Sequence, residues 1–143
     1  MLLDKITAAD VVIGLKTQDW EDAVRRSAQI LLEKGSIEPR YVEAMIQVVH
    51  ENGPYIVIGK HIALAHARPE CGALRTDISF TTLDPAIHFN AGKMDPVKLI
   101  ITLAAIDSET HLDLLSELAE ILMDEEKSAA LFEAESAAAF VQI

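Results

Sequence analysis

Residues 53–71 read GPYIVIGKHIALAHARPEC, and here the chain changes period. Helix-type spacing ends just before this stretch and strand-type spacing fills it. Tyr55-Ile56-Val57-Ile58 is an apolar run, Gly59-Lys60 breaks it, and Ile62-Ala63-Leu64-Ala65 alternates. At a period of two, Ile62 and Leu64 share one face and His66 comes next in that register. Pro69 has no N–H to donate to a ladder, so the strand must end near His66. An imidazole is thereby expected at a strand end, beside a loop that carries Arg68. A histidine in mid-strand is usually packed, whereas one at the rim can meet a ligand. On spacing alone, a structural and a functional role both remain open for His66.

Upstream of this stretch the pattern is helical. Ile6, Val11, Val12, Ile13 and Leu15 suit a short strand or extended lead-in, after which Thr17 or Asp19 can cap a helix. Trp20, Ala23, Val24, Ser27, Ala28, Leu31 and Leu32 then fall on one face. Gly35 closes that helix, and a second begins at Ser36-Ile37-Glu38-Pro39. Its buried stripe is Tyr41, Val42, Met45, Ile46 and Val49, and Gly53-Pro54 stops it.

Downstream, Ile78 to Leu83 reads as a strand, Asp84-Pro85 as a turn, and Ala86 to Phe89 as a shorter strand. The strongest strand runs from Val97 to Ala105. Its nearly continuous apolar character predicts a central position covered on both faces. Asp107-Ser108-Glu109-Thr110 offers caps for a helix starting at or near His111. Leu112, Leu115, Leu118, Ala119 and Leu122 are its expected core stripe. A further helical region runs from Asp124 to about Phe132, and Ser136 caps a last short one. Helices alternating with strands predict a layered α/β domain.

The chain has 143 residues, enough for one domain (1–143) with a core that needs no staples. Its formal net charge of -11 opposes nonspecific binding to nucleic acid or anionic lipid and favours a basic protein partner. Cys71 is the single cysteine, so neither an intrachain disulfide nor a cysteine-based zinc site is expected. Residues 1–16 lack the basic leader and apolar core of a signal peptide. The apolar run from Val97 to Ile106 is too short to span a bilayer. These features predict a soluble, cytoplasmic protein without direct membrane insertion. The apolar stripes are consumed by the core, so no oligomeric state is read from them.

Five histidines are the main reactive candidates. His50, near a helix end, reads as surface structure favoured there by the helix dipole. His61 precedes the central strand, and His88 lies in a short one; both read as packed or solvent-facing. His66 and His111 differ, because each marks a junction of the kind that gathers at the carboxyl edge of an open α/β sheet. Metal binding lacks ligand spacing around His66. A nucleophile elbow, a P-loop and a G-x-G-x-x-G are all absent, which removes serine hydrolysis and direct nucleotide chemistry. Phosphoryl transfer through His66 survives. It needs a neutral imidazole nitrogen as nucleophile and donors for a dianion, for which helix N-terminal amides, the His111 ring and Arg68 are available.

The pattern G-P-Y-x-V-I…I-A-x-x-H-A-R-P-E-x-G, followed by D-P-V-x-L-I-I-T-L-A-A-x-D…T-H-L-x-L-L, resembles the enzyme IIA domain of the bacterial phosphoenolpyruvate-dependent sugar phosphotransferase system. It is most similar to the mannitol/fructose-type superfamily, and within it to the ascorbate-type branch. The likeness runs from Trp20 to the last helix. Its most branch-specific pieces are E-P-R-Y-V-E-A-M at 38–45 and R-P-E-x-G at 68–72. The resemblance implies a three-layer sandwich, a mixed sheet with helices on both faces, and a phosphohistidine at His66 supported by His111. Two positions depart from the family pattern. Ala65 stands where a proline often precedes the active histidine, and His50 stands where mannitol-specific relatives carry an arginine.

What the resemblance implies is a phosphocarrier. The phosphoprotein HPr would donate to His66, and a cysteine of an enzyme IIB would accept, with a membrane enzyme IIC downstream and L-ascorbate as the expected cargo. No cofactor is required. The alternative is a nitrogen-type regulatory member that controls a partner protein when phosphorylated.

Overall fold

The computed structural model describes residues 6–53 and 56–141, with Ser108 and His111 described in backbone only. Five strands form one mixed sheet: β1 Val11–Leu15, β2 Val57–Gly59, β3 Ile62–Ala65, β4 Asp77–Ile87 and β5 Val97–Ala104. Their order is β1-β4-β5-β3-β2. The β1–β4 and β3–β5 pairs are parallel, while β2–β3 and β4–β5 are antiparallel. The strand expected to be central, β5, is central. Its side chains alternate between two cores, Leu99, Ile101 and Leu103 toward one and Ile100 and Ala104 toward the other.

Helices cover both faces. On the first lie α1 Trp20–Ser27, α2 Gln29–Glu33 and α3 Pro39–Asn52. Ala23, Val24, Leu31, Tyr41 and Met45 pack there with Ala63, Ala65 and Ile100. On the second lie α4 Ser108–Leu122, α5 Glu125–Glu133 and α6 Ala137–Val141. Their Leu114, Leu118, Leu131 and Phe140 pack against Ile62, Leu64, Phe80 and Ile101. The result is the expected three-layer α/β sandwich.

Local chemistry explains most boundaries. Asp19, not Thr17, caps α1, its carboxylate accepting the Asp22 N–H at 2.9 Å. The single helix expected over Trp20–Leu32 is divided by a turn at Ala28. Because the Ala28 N–H still reaches the Val24 carbonyl at 3.1 Å, the apolar face continues across the turn. Pro39 opens α3, whose buried face is the expected Tyr41, Val42, Met45, Ile46 and Val49. Tyr55, the expected first residue of the apolar run, lies outside the described residues, as do residues 1–5.

Three expectations are corrected. Asp84-Pro85 does not separate two strands, because β4 runs through it from Asp77 to Ile87. Between the pairs Thr82↔Leu99 and Ile87↔Val97, β4 advances five residues while β5 advances two. The proline, which cannot donate, sits in that bulge and is exposed. Second, α4 starts at Ser108, three residues before His111, because Asp107 is the residue that caps it, accepting the Thr110 N–H at 2.7 Å. Third, its core stripe is Leu114 and Leu118, with Leu115, Ile121 and Leu122 packed alongside. Leu112 and Ala119, seven apart and so on one line of the helix, face outward. Among the described residues no helix is long and apolar enough to cross a membrane.

Candidate functional site

The site is built where β3 and β5 end together. They run parallel with Ala65 opposite Thr102, so His66 leaves the sheet at the edge where β5 ends at Ala104. Four residues later α4 begins, which brings its first turn, Ser108 to His111, to the same edge. This is the carboxyl edge of two adjacent parallel strands, the usual place for a site in an α/β sheet. Ile62 and Leu64 pack in the α4 core, and His66 is next in their alternation. The backbone at His111 therefore lies in the helix turn that faces this edge; its ring lies outside the described residues.

His66 is half-buried, and its Nδ1 lies 2.8 Å from the Leu64 carbonyl oxygen. A carbonyl oxygen can only accept, so Nδ1 carries the proton. In the neutral ring this fixes the tautomer whose lone pair is on Nε2. The strand thus sets the chemistry of the ring that ends it.

The loop after His66 is strapped to the start of α3. Ala67 donates its N–H to the Tyr41 hydroxyl at 3.1 Å. The Glu38 N–H donates to the Gly72 carbonyl at 2.9 Å, and Arg40 Nη1 to the Glu70 carbonyl at 3.0 Å. Gly72 has φ +130°, and a Cβ there would stand 3.2 Å from Glu38 Cβ and 3.3 Å from Tyr41 Cβ. Only glycine allows this close approach without a shift. The two motifs that looked most specific in the sequence, E-P-R-Y and R-P-E-x-G, are therefore one contact.

Arg68 is exposed and precedes a 3₁₀ turn at Pro69–Cys71. Its guanidinium is available to an approaching anion. The amides of α4 are less available than expected. Asp107 already holds the Thr110 N–H, which keeps its carboxyl below the ordinary aspartate range.

The remaining histidines do not join this site. His50 Nε2 pairs with Glu21, and its ring meets Trp20 edge-on at 5.1 Å between centroids. It sits nine residues beyond Tyr41, about 14 Å further along the α3 axis. His61 has φ +70° at the start of β3 and donates from Nδ1 to the Pro96 carbonyl at 2.7 Å. His88 is largely exposed, 3.8 Å from Asp95. Among the described residues no group of three metal-ligating side chains occurs.

Tyr41 is the residue that sequence reasoning missed. Its place in a buried helical stripe was legible, but nothing in that stripe says where its hydroxyl goes.

Residues 5–143 match the family model of the phosphoenolpyruvate-dependent sugar phosphotransferase system, EIIA 2. The chain belongs to this EIIA family. It is 36% identical over 125 residues to the mannitol-specific cryptic phosphotransferase enzyme IIA component of Escherichia coli, covering 87% of this chain and 84% of that protein. The solution structure of the Escherichia coli cryptic mannitol enzyme IIA has a TM-score of 0.87 to this chain, at 33% identity over 99% of this chain and 97% of that one. The ascorbate-specific EIIA component of Escherichia coli is 36% identical over 112 residues, 78% of this chain and 73% of that protein. An Escherichia coli mannitol enzyme IIA, solved in complex with phosphorylated enzyme IIB, has a TM-score of 0.85 at 26% identity, covering 96% of this chain and 94% of that one. The chain is thus an EIIA phosphotransferase component, and its relatives include the mannitol- and ascorbate-type members that its motifs pointed to.

Proposed function

We propose that this EIIA domain is a cytoplasmic phosphocarrier with His66 as its phosphoryl acceptor. The observation that carries this is the Nδ1 hydrogen bond to the Leu64 carbonyl, which leaves the lone pair on Nε2. Nε2 attacks the phosphorus of phospho-HPr; the P–Nε2 bond forms as the bond to the donor breaks. The ring becomes cationic, and its Nδ1–H strengthens the bond it already makes to Leu64. A thiolate of an enzyme IIB then attacks the same phosphorus, the P–Nε2 bond breaks, and the neutral ring returns. His111 and Arg68 stabilise the charged group in flight.

Two further features support the reading. Leu74, Ile106 and Leu112 are exposed large apolar side chains beside the starts or ends of β4, β5 and α4 at this edge, suited to protein partners. A relative is known in complex with phosphorylated enzyme IIB. Passage onward through enzyme IIC to a sugar, L-ascorbate by branch resemblance, completes the role.

The test is label transfer from phosphoenolpyruvate through enzyme I and HPr. Wild type should gain an acid-labile, alkali-stable phosphoryl group and pass it to a IIB protein. His66→Ala should gain none. Label on His66→Ala at the wild-type level overturns the assignment.

A further inference from the structure

We propose that Tyr41 is a positioning residue that sets the tautomer and aim of the His66 ring. It is fully buried, yet its hydroxyl is used by two separate pieces of chain. The oxygen donates to the Leu103 carbonyl at 2.8 Å, near the end of β5. It accepts the N–H of Ala67, the residue directly after His66, at 3.1 Å, and the Ala67 carbonyl is equally near. His66 is therefore held from both sides. Before it, Ala65 is in register with Thr102 of β5; after it, Ala67 is tied through Tyr41 to Leu103 of the same strand.

The ring's Nδ1–H bond to Leu64 spans only two residues, so it forms only while the backbone between Leu64 and Ala67 keeps its path. Without the hydroxyl, the Ala67 N–H and the Leu103 carbonyl lose a buried partner, and the chain after His66 is free to turn toward water. The Nδ1–H bond then competes with solvent, and Nε2 no longer carries the lone pair in every molecule. Nucleophilic attack demands that lone pair at a fixed place, and small misplacements slow such steps steeply.

Tyr41→Phe removes one oxygen atom and keeps the ring that fills the core. Its control is Ile100→Val, which trims the same core cluster away from the loop. In Tyr41→Phe the ¹⁵N spectrum of His66 should move from the Nδ1–H form to a mixture of tautomers. Label uptake from phospho-HPr should slow by about 10- to 100-fold, while Ile100→Val keeps both wild-type properties. A folded Tyr41→Phe with an unchanged tautomer and unchanged uptake overturns the proposal. Should that variant not fold, amide exchange in the wild type decides: Ala67 should be strongly protected, and exchange at the rate of an open loop overturns the brace. The proposal rests on His66 as acceptor. If wild type takes no label, that reading fails while the nitrogen spectrum still judges Tyr41.

Discussion

At the scale of the residue, the roles of the two edge histidines are separable. His66 ends a strand and has its tautomer fixed by its own backbone. His111 comes from the first turn of α4, so it approaches the same edge from a different element. If it only stabilises charge, His111→Ala should still become phosphorylated on His66 but pass the group to a IIB protein roughly 10²–10³-fold more slowly, the usual cost of one preorganised donor. Single-turnover transfer from isolated phosphoprotein measures this; an unaltered onward rate removes His111 from the mechanism. His66 was legible in the sequence because alternation, Pro69 and the following arginine all mark a strand end. The Tyr41 hydroxyl was not, since a helical stripe shows burial and is silent about hydrogen bonds across 26 and 62 positions of sequence. His50 shows the opposite case: the resemblance set it against an arginine of mannitol-specific relatives, and in the structure it pairs with Glu21 on α1.

Among the elements, β5 was the easiest to read and carries the clearest prediction. Ile101 is wholly buried against the α4 side. Ile101→Asp should cost on the order of 4 kcal/mol or more by burying an unpaired charge, read from chemical unfolding. Full stability in that variant would be incompatible with β5 at the centre of the sheet. The loop 67–72 is a second such element. Gly72→Ala combines a φ of +130° with contacts of 3.2–3.3 Å to Glu38, Arg40 and Tyr41. It should lose roughly 1–3 kcal/mol and slow phosphoryl uptake as well, because the loop it displaces begins at Ala67. Loss of stability with no change in uptake would uncouple this strap from His66. Where element reading failed, the reason was local chemistry with two meanings. Asp84-Pro85 is a turn signal, but pairing with β1 at Leu83 and with β5 at Ile87 keeps the chain extended around a bulge. In α4 the leucines are dense enough to define two stripes, and only packing against β3 and β5 selects Leu114 and Leu118.

For the whole molecule, a polar clamp joins the helical layer of α1–α3 to the sheet. Asp10, buried just before β1, lies 2.7 Å from Lys34 Nζ. Lys34 also lies 2.9 Å from Asp77 at the start of β4, and the Ser36 hydroxyl donates to Asp77 at 2.6 Å. Burial by itself would raise the Asp10 carboxyl; the Lys34 ammonium and the Thr7 N–H outweigh it and hold the group below its ordinary value. For Lys34, burial works to lower the ammonium, and Asp10 and Asp77 raise it above the ordinary lysine value. A lowered aspartate stabilises the fold above its unfolded pKa and loses that contribution as pH falls through the folded one. A raised lysine stabilises below its unfolded pKa and loses it as pH rises. The clamp is therefore complete from about pH 4.5 to about pH 10. Lys34→Met should lower stability at pH 7 by roughly 1–2 kcal/mol, at the modest end because Lys34 is more than a third exposed. Acid protonates the other carboxylates of both proteins alike, starting from a net charge of -11 in wild type, so the comparison isolates the clamp. Asp10 gives up its contribution in wild type as pH falls through its lowered folded value, so the difference between the two proteins should shrink in acid. Urea unfolding of both proteins at pH 7 and pH 3 measures the two gaps. A gap of equal size at pH 3 would mean that Lys34 acts through the packing of its stem and not through Asp10.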